Sequence, residues 1–206
     1  MKLFVMGAFP YFDVPSVRET CHAIKSGDAE AIAQQARRLE PFVTSCTILI
    51  PVPGHMGRAI AMRDLAGAIA ARARHNGKLV VVADLMECEP HKSLNELKHD
   101  GRWPAPGDVV MRCKNRLARG VVRLAEALGF KVRLVDNVVD SGVTAEACYK
   151  VIGPHYILAI GRTENWRRNP DIREMVTTPA IELFYKRPSV IPFGPRNPSL
   201  NSQKYI

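Results

Sequence analysis

Apolar positions along the chain fall into two alternating patterns, short continuous runs and repeats of about 3.6 residues. Lys2 to Phe9 reads as a strand, and Val17 to Glu40 as one alanine-rich helix. Thr47 to Val52 (TILIPV) is a second strand, stopped by Pro51 and Pro53. From Arg58 to His75 the residues Met62, Leu65, Ala66, Ile69 and Ala73 fall on one helical stripe, with Arg58, Arg63, Arg72 and Arg74 largely off it. Leu79 to Ala83 (LVVVA) is a continuous apolar run, as expected of a parallel strand covered on both faces. The rhythm then breaks. Residues 85–108 are polar, mixed in charge and without a sustained period, which predicts a functional lid or an excursion. Regularity returns over Val109 to Leu128, where Leu117, Val121, Leu124 and Leu128 form a helical stripe ended by Gly129. Lys131 to Val135 is the next strand, a helix follows from about Thr144 to Val151, and Tyr156 to Ile160 is the last clear strand. After Gly161 the pattern weakens, and the tail from Arg187 is rich in Pro, Asn and Ser.

Strand–helix alternation of this kind predicts an α/β fold, a parallel sheet flanked by helices and joined by right-handed crossovers. With 206 residues, no repeats and no linker composition, the chain reads as a single domain spanning 1–206. Ligands of such sheets bind beyond the carboxyl ends of the strands. The segments of interest are therefore 53–58, 85–108, 136–144 and 161–168.

Charge narrows the ligand. Lys and Arg number 29 against 20 Asp and Glu, and the surplus of +9 implies an anionic partner: nucleic acid, an acidic membrane surface or a small polyphosphate. Arg112, Lys114, Arg116, Arg119 and Arg123 have no interleaved aromatics, so they read as a solvated helix face and not as a nucleic-acid surface. Cys21, Cys46, Cys88, Cys113 and Cys148 are widely spaced with no C-x-x-C pair, which predicts reduced thiols and no zinc site. No apolar run approaches the ~20 residues that span a bilayer, and the N-terminus is poorly flanked for a signal peptide; a soluble, cytoplasmic protein is expected.

The richest chemistry lies in Val132 to Ala147 (VRLVDNVVDSGVTAEA). A buried strand delivers Asp136 and Asn137, and Asp140, Ser141, Gly142, Val143 and Thr144 open a helix. Successive amides at a helix start, with glycine and hydroxyls, bind phosphate. Asp136 and Asn137 are suited to vicinal hydroxyls, and the Asp136 carboxylate also to a magnesium shell. A sugar phosphate fits. The same residues also read as an ordinary strand–turn–helix with an Asp/Ser cap.

Val135 to Thr144 resembles the phosphoribosyl-diphosphate (PRPP) motif of type I phosphoribosyltransferases, with the Asp140-Ser141-Gly142 version closest to the hypoxanthine–guanine enzymes. The second acid of the motif is replaced here by Asn137. Ile50 to Arg58 (IPVPGHMGR) resembles the pyrophosphate loop of the competence-protein-F-like branch, and 85–108 looks like the family's mobile catalytic loop. The resemblance covers roughly residues 45–163, leaving 1–44 as an N-terminal extension and 165–206 as a hood or tail. It implies magnesium-dependent transfer between PRPP and a nitrogenous base, with release of pyrophosphate, and the Asp-Ser-Gly loop tilts the base toward a 6-oxopurine. It further implies that Asp136, Asn137 and 140–144 hold PRPP, with Asp136 on the Mg²⁺. Pro53, Gly54, His55, Met56, Gly57 and Arg58 would hold pyrophosphate, and Asp140 would act on the base, with lid cations such as Lys92, Lys98 and Arg102 assisting departure. A homodimer is usual for the family. The alternatives are a non-catalytic regulator that binds PRPP or a nucleotide, or an effector that consumes nucleotides.

Overall fold

The computed structural model describes residues 1–153 and 156–178; the tail read from Arg187 lies outside them. Strands β1 (Lys2–Met6), β2 (Phe9–Pro10), β3 (Thr47–Pro51), β4 (Val80–Val82), β7 (Lys131–Val139), β8 (Tyr156–Arg162) and β9 (Glu174–Thr178) form one seven-stranded sheet. Its order is β4-β3-β7-β8-β1-β9, with β2 paired to the end of β8, and every pairing is parallel. The fold class is the one the alternation of elements predicts. The first strand is no appendage, because β1 runs inside the sheet between β8 and β9.

Helices cover both faces. One face carries α1 (Pro15–Lys25), α2 (Ala29–Leu39) and α3 (Ile60–His75), packed through Ile24, Leu39, Leu65 and Ile69 onto Leu49, Val135, Leu158 and Ile160. The stripe read for α3 is fully internal. The single helix expected over Val17 to Glu40 is two, because Gly27 turns left-handed at φ +81 and Asp28 restarts the helix by accepting the Ala31 amide at 2.9 Å. The other face carries α5 (Ala118–Ala127) and α6 (Val143–Ile152).

Two further expectations are corrected. Residues 85–108 are ordered: β5 (Met86–Cys88) leads to α4 (Leu94–His99), and β5 pairs antiparallel with β6 (Met111–Cys113). A capping box starts α4, where Ser93 Oγ accepts the Glu96 amide and Glu96 accepts the Ser93 amide at 2.6 Å. The stretch Val109 to Leu128 is accordingly a strand and then a shorter helix. Nor is β4 covered on both faces: as the sheet's edge it leaves Leu79 and Val81 exposed.

Candidate functional site

Strand β7 continues to Val139, so Asp136 and Asn137 lie within it and not at its end; Asp136 pairs in register with Ala159 of β8. Their side chains part company. Asp136 Oδ1 accepts the Asn137 amide at 2.7 Å, and burial pushes its carboxyl up to about 6 against the weaker pull of Lys25. Asn137 is buried and donates through Nδ2 to the Cys21 carbonyl at 3.2 Å, which ties β7 to α1. The expected side-by-side pair is therefore divided, with the Asp136 carboxylate on its own neighbour's amide and the Asn137 amide tied to α1.

Beyond β7 the chain turns through Asp140, Ser141 and Gly142 into α6. Gly142 sits left-handed at φ +75, and a Cβ there would overlap Ile172 Cδ1. The first helical bond runs from the Glu146 amide to the Gly142 carbonyl. Among the described residues no acceptor pairs with the amides of Ser141, Gly142, Val143, Thr144 or Ala145. Ser141 is buried as well, and its Oγ has no hydrogen-bond partner. Free donors at a helix start are general, but a sequestered hydroxyl beside them costs free energy until something accepts from it.

Asp140 is the hub of the site. Its Oδ1 accepts from Thr163 Oγ1 and Asn165 Nδ2, both at 2.6 Å, and Lys98 of α4 donates to Oδ2. Burial favours the neutral acid, yet these three donors outweigh it and hold the carboxyl below its ordinary range, so it is ionised at neutral pH. Lys98 and Arg168 both lie over the Trp103 ring, 4.9 and 4.2 Å from its centroid. Residues 94–103 thus lie over the start of α6. Of the lid cations named from sequence, Lys98 makes this contact. Lys92 pairs with Asp100 at 3.2 Å and Arg102 with Asp108, both within the lid itself.

The loop Pro53–Arg58 packs against the same lid. The His91 amide donates to the His55 carbonyl at 3.0 Å, and Gly57 at φ +88 approaches so closely that a Cβ would stand 2.9 Å from the Cys88 carbonyl oxygen. Two of its amides are engaged internally, Gly54 with the Arg58 carbonyl and Gly57 with the Gly54 carbonyl. Met56 projects into solvent. Arg58 lines a cavity of about 400 Å³ with Arg63, Asp84, Glu87 and Lys114 at the start of α3. Arg63 reads from sequence only as an off-stripe cation of α3, and Lys114 as part of a helix face, whereas Lys114 follows β6 directly, ahead of α5, and pairs with Asp84 at 2.6 Å.

A second cleft has a volume of about 240 Å³. Its walls are Pro10, Tyr11, Phe12 and Asp13 from the N-terminal segment and Arg162, Thr163, Glu164 and Asn165 after β8. Two of these, Thr163 and Asn165, are the residues that donate to Asp140. The N-terminal contribution had no local sequence signal, because it depends on β2 pairing with β8.

The described residues hold no cluster of three His, Cys, Asp or Glu suited to a metal ion, and no helix among them is long and apolar enough to cross a membrane. Compared with protein-family models and with curated protein sequences, the chain matches none.

Proposed function

We propose that the protein is a phosphoribosyltransferase that joins a nitrogenous base to the pentose of PRPP and releases pyrophosphate. The observation that carries this reading is the sequestered, partnerless Ser141 hydroxyl beside five unengaged amides at the start of α6. That donor set suits a dianionic 5′-phosphate, with the helix dipole adding to it. The ribose hydroxyls would then reach Asp136. A lone carboxylate raised to about 6 is consistent with a magnesium ion held largely by substrate phosphates and water. Bound there, magnesium would neutralise the diphosphate. Arg58, Arg63 and Lys114 supply positive charge on the leaving side.

In the reaction the C1–oxygen bond to diphosphate breaks, with its electron pair leaving on pyrophosphate, and a bond forms from the base nitrogen to C1. The proton shed by that nitrogen needs an acceptor. Asp140, ionised and bonded to Thr163 and Asn165 of the wall of the cleft that Tyr11, Phe12 and Arg162 also line, is suited to the task. Closure of the 85–108 lid would exclude water, which otherwise consumes the activated sugar. Asn137 in place of a second acid, and Lys98 already seated on Asp140, favour a second reading as a PRPP- or nucleotide-responsive regulator.

Pyrophosphate release, measured with Mg²⁺, PRPP and a panel of purine and pyrimidine bases, separates the two. The enzyme reading predicts turnover with at least one base, reduced by roughly 10²–10⁴ in Asp140→Asn, with PRPP affinity changed only a few-fold. PRPP binding without pyrophosphate release favours the regulator. Equal losses of affinity and turnover in Asp140→Asn would make Asp140 a scaffold residue of the phosphate loop.

A further inference from the structure

The cleft of about 240 Å³ is held in shape by the backbone around it. Pro10 pairs in register with Arg162, and the Tyr11 amide donates to the Arg162 carbonyl at 2.9 Å, so the segment after β2 is fixed to the end of β8. Gly161 makes room for this: a Cβ there would stand 3.0 Å from Tyr11 Cδ2 and 3.2 Å from Val17 Cγ1. Phe12 follows, edge-on to the Tyr11 ring with centroids 5.3 Å apart, and it is 69% exposed. An exposed ring on the wall of a cleft is a platform for a planar ligand, because covering it removes a large apolar face from water. The volume lies below the ~300 Å³ at which pockets for drug-sized ligands begin, and it suits a heterocycle of one or two rings.

The polar groups of its walls are mostly acceptors. Thr163 and Asn165 spend side-chain donors on Asp140, and the Thr163 hydroxyl also accepts the Asn165 amide at 3.1 Å. Asn165 keeps its side-chain carbonyl, Oδ1, to which no described residue donates. The Asp13 carboxylate likewise has no hydrogen bond or ion pair with a described residue. Arg162 is the one cation among the described residues that line the cleft. Its Nη1 is held by Glu164 at 2.6 Å, and Arg167 takes the other oxygen of Glu164 at 3.1 Å. On a chain of net charge +9 this cleft thus carries two carboxylates against one guanidinium, and two of its wall residues are bonded to the ionised Asp140 as well.

We propose that this cleft selects an uncharged nitrogen heterocycle that carries an exocyclic amine, and rejects one that carries a carboxylate. The ring would lie against Phe12, and the amine would donate to Asp13 and Asn165 Oδ1. A ring nitrogen or carbonyl would accept from the N–H groups that Arg162 does not give to Glu164. The amine is selected because the wall's acceptors lose a partner without it, and the carboxylate is rejected by like charge. Taken as the acceptor of the transfer proposed above, this heterocycle rests on that reading; taken as a binding preference, it is measured apart from it.

The probes are adenine, purine, cytosine, uracil and orotate, titrated by calorimetry with and without PRPP and Mg²⁺. Adenine is purine with an added amine, cytosine is uracil with an amine in place of a carbonyl oxygen, and orotate is uracil with an added carboxylate. Adenine or cytosine binds, about tenfold or more tightly than its amine-free counterpart, and orotate does not bind. Asp13→Ala brings the pair within about threefold, and Phe12→Ala weakens the aminated base without admitting orotate, both with circular dichroism and melting unchanged. No preference in either pair, binding of orotate, binding of none of the five under either condition, or a preference undiminished by Asp13→Ala overturns the proposal. Pyrophosphate release in the same mixtures separates it from the transferase reading. Amine-selective binding without release removes the transferase and leaves the preference standing; release driven best by purine or orotate keeps the transferase and overturns the preference.

Discussion

Replacing Ser141 by alanine should move stability and affinity in opposite directions. In the ligand-free protein the Ser141 hydroxyl is buried with no partner, and a desolvated hydroxyl without a hydrogen bond costs about 1–3 kcal/mol. Alanine removes that penalty and leaves a void smaller than a methyl group, so the net gain is about 1–2 kcal/mol. For a chain of this size each kcal/mol raises Tm by about 2–4 °C, and Ser141→Ala should therefore melt roughly 2–8 °C higher. With PRPP bound the balance reverses. A hydrogen bond to a charged phosphate is worth about 1.5–3 kcal/mol, so the variant should bind PRPP about 10–150-fold more weakly. Urea titrations and thermal melts, run with and without PRPP and Mg²⁺, read both effects, because ligand stabilises the folded state in proportion to ln(1 + [L]/Kd). A less stable ligand-free variant would refute the reasoning, since it would mean that the hydroxyl is satisfied in the native state. So would unchanged PRPP affinity.

Gly142→Ala should cost roughly 2–5 kcal/mol in urea unfolding, by forcing alanine into a left-handed backbone and its Cβ against Ile172; near-native stability would show that the turn relaxes. Glu40 is largely buried and paired with Lys78 at 2.6 Å. Burial alone would raise its carboxyl, but the bonds from Lys78 and Asn76 outweigh it and hold the group below its ordinary value. A depressed acid contributes stability above its unfolded value of about 4.3, and loses it as pH falls through the folded value. Lys78→Met should therefore cost roughly 1–3 kcal/mol at neutral pH, with the gap to wild type closing in melts below about pH 4; a gap independent of pH would contradict the pairing.

Most of the sheet was legible because its strands are continuous apolar runs between turn residues, and a buried parallel strand such as TILIP has few other readings; β9 (EMVTT), inside the stretch read as hood or tail, was not, because it has no apolar run. The α3 stripe was legible for the same reason. The split between α1 and α2 was not, since one left-handed glycine followed by an aspartate cap interrupts the periodicity for only three residues. The lid was misread as irregular although Ser93 and Glu96 stand at capping-box spacing, because six residues are too few to establish a period. For α5 the error was of direction: the periodicity identified the helix, but its leucines lie on the flank and small residues face the core. At the site, the turn into α6 was visible as a local motif. The partners of Asp140 were not, because Lys98 reaches it from α4 and Thr163 and Asn165 from the segment after β8. The separate fates of Asp136 and Asn137 depend on which face of β7 each occupies and on α1 lying beneath.

Titration calorimetry of PRPP with Mg²⁺ into wild type and Asp136→Ala addresses the start of α6 most directly. If that turn cradles a phosphorylated pentose, wild type binds one PRPP per chain, and the variant, with its circular dichroism unchanged, loses that binding. A wild type that takes up no PRPP, or a variant that takes it up as tightly as wild type does, would contradict the assignment.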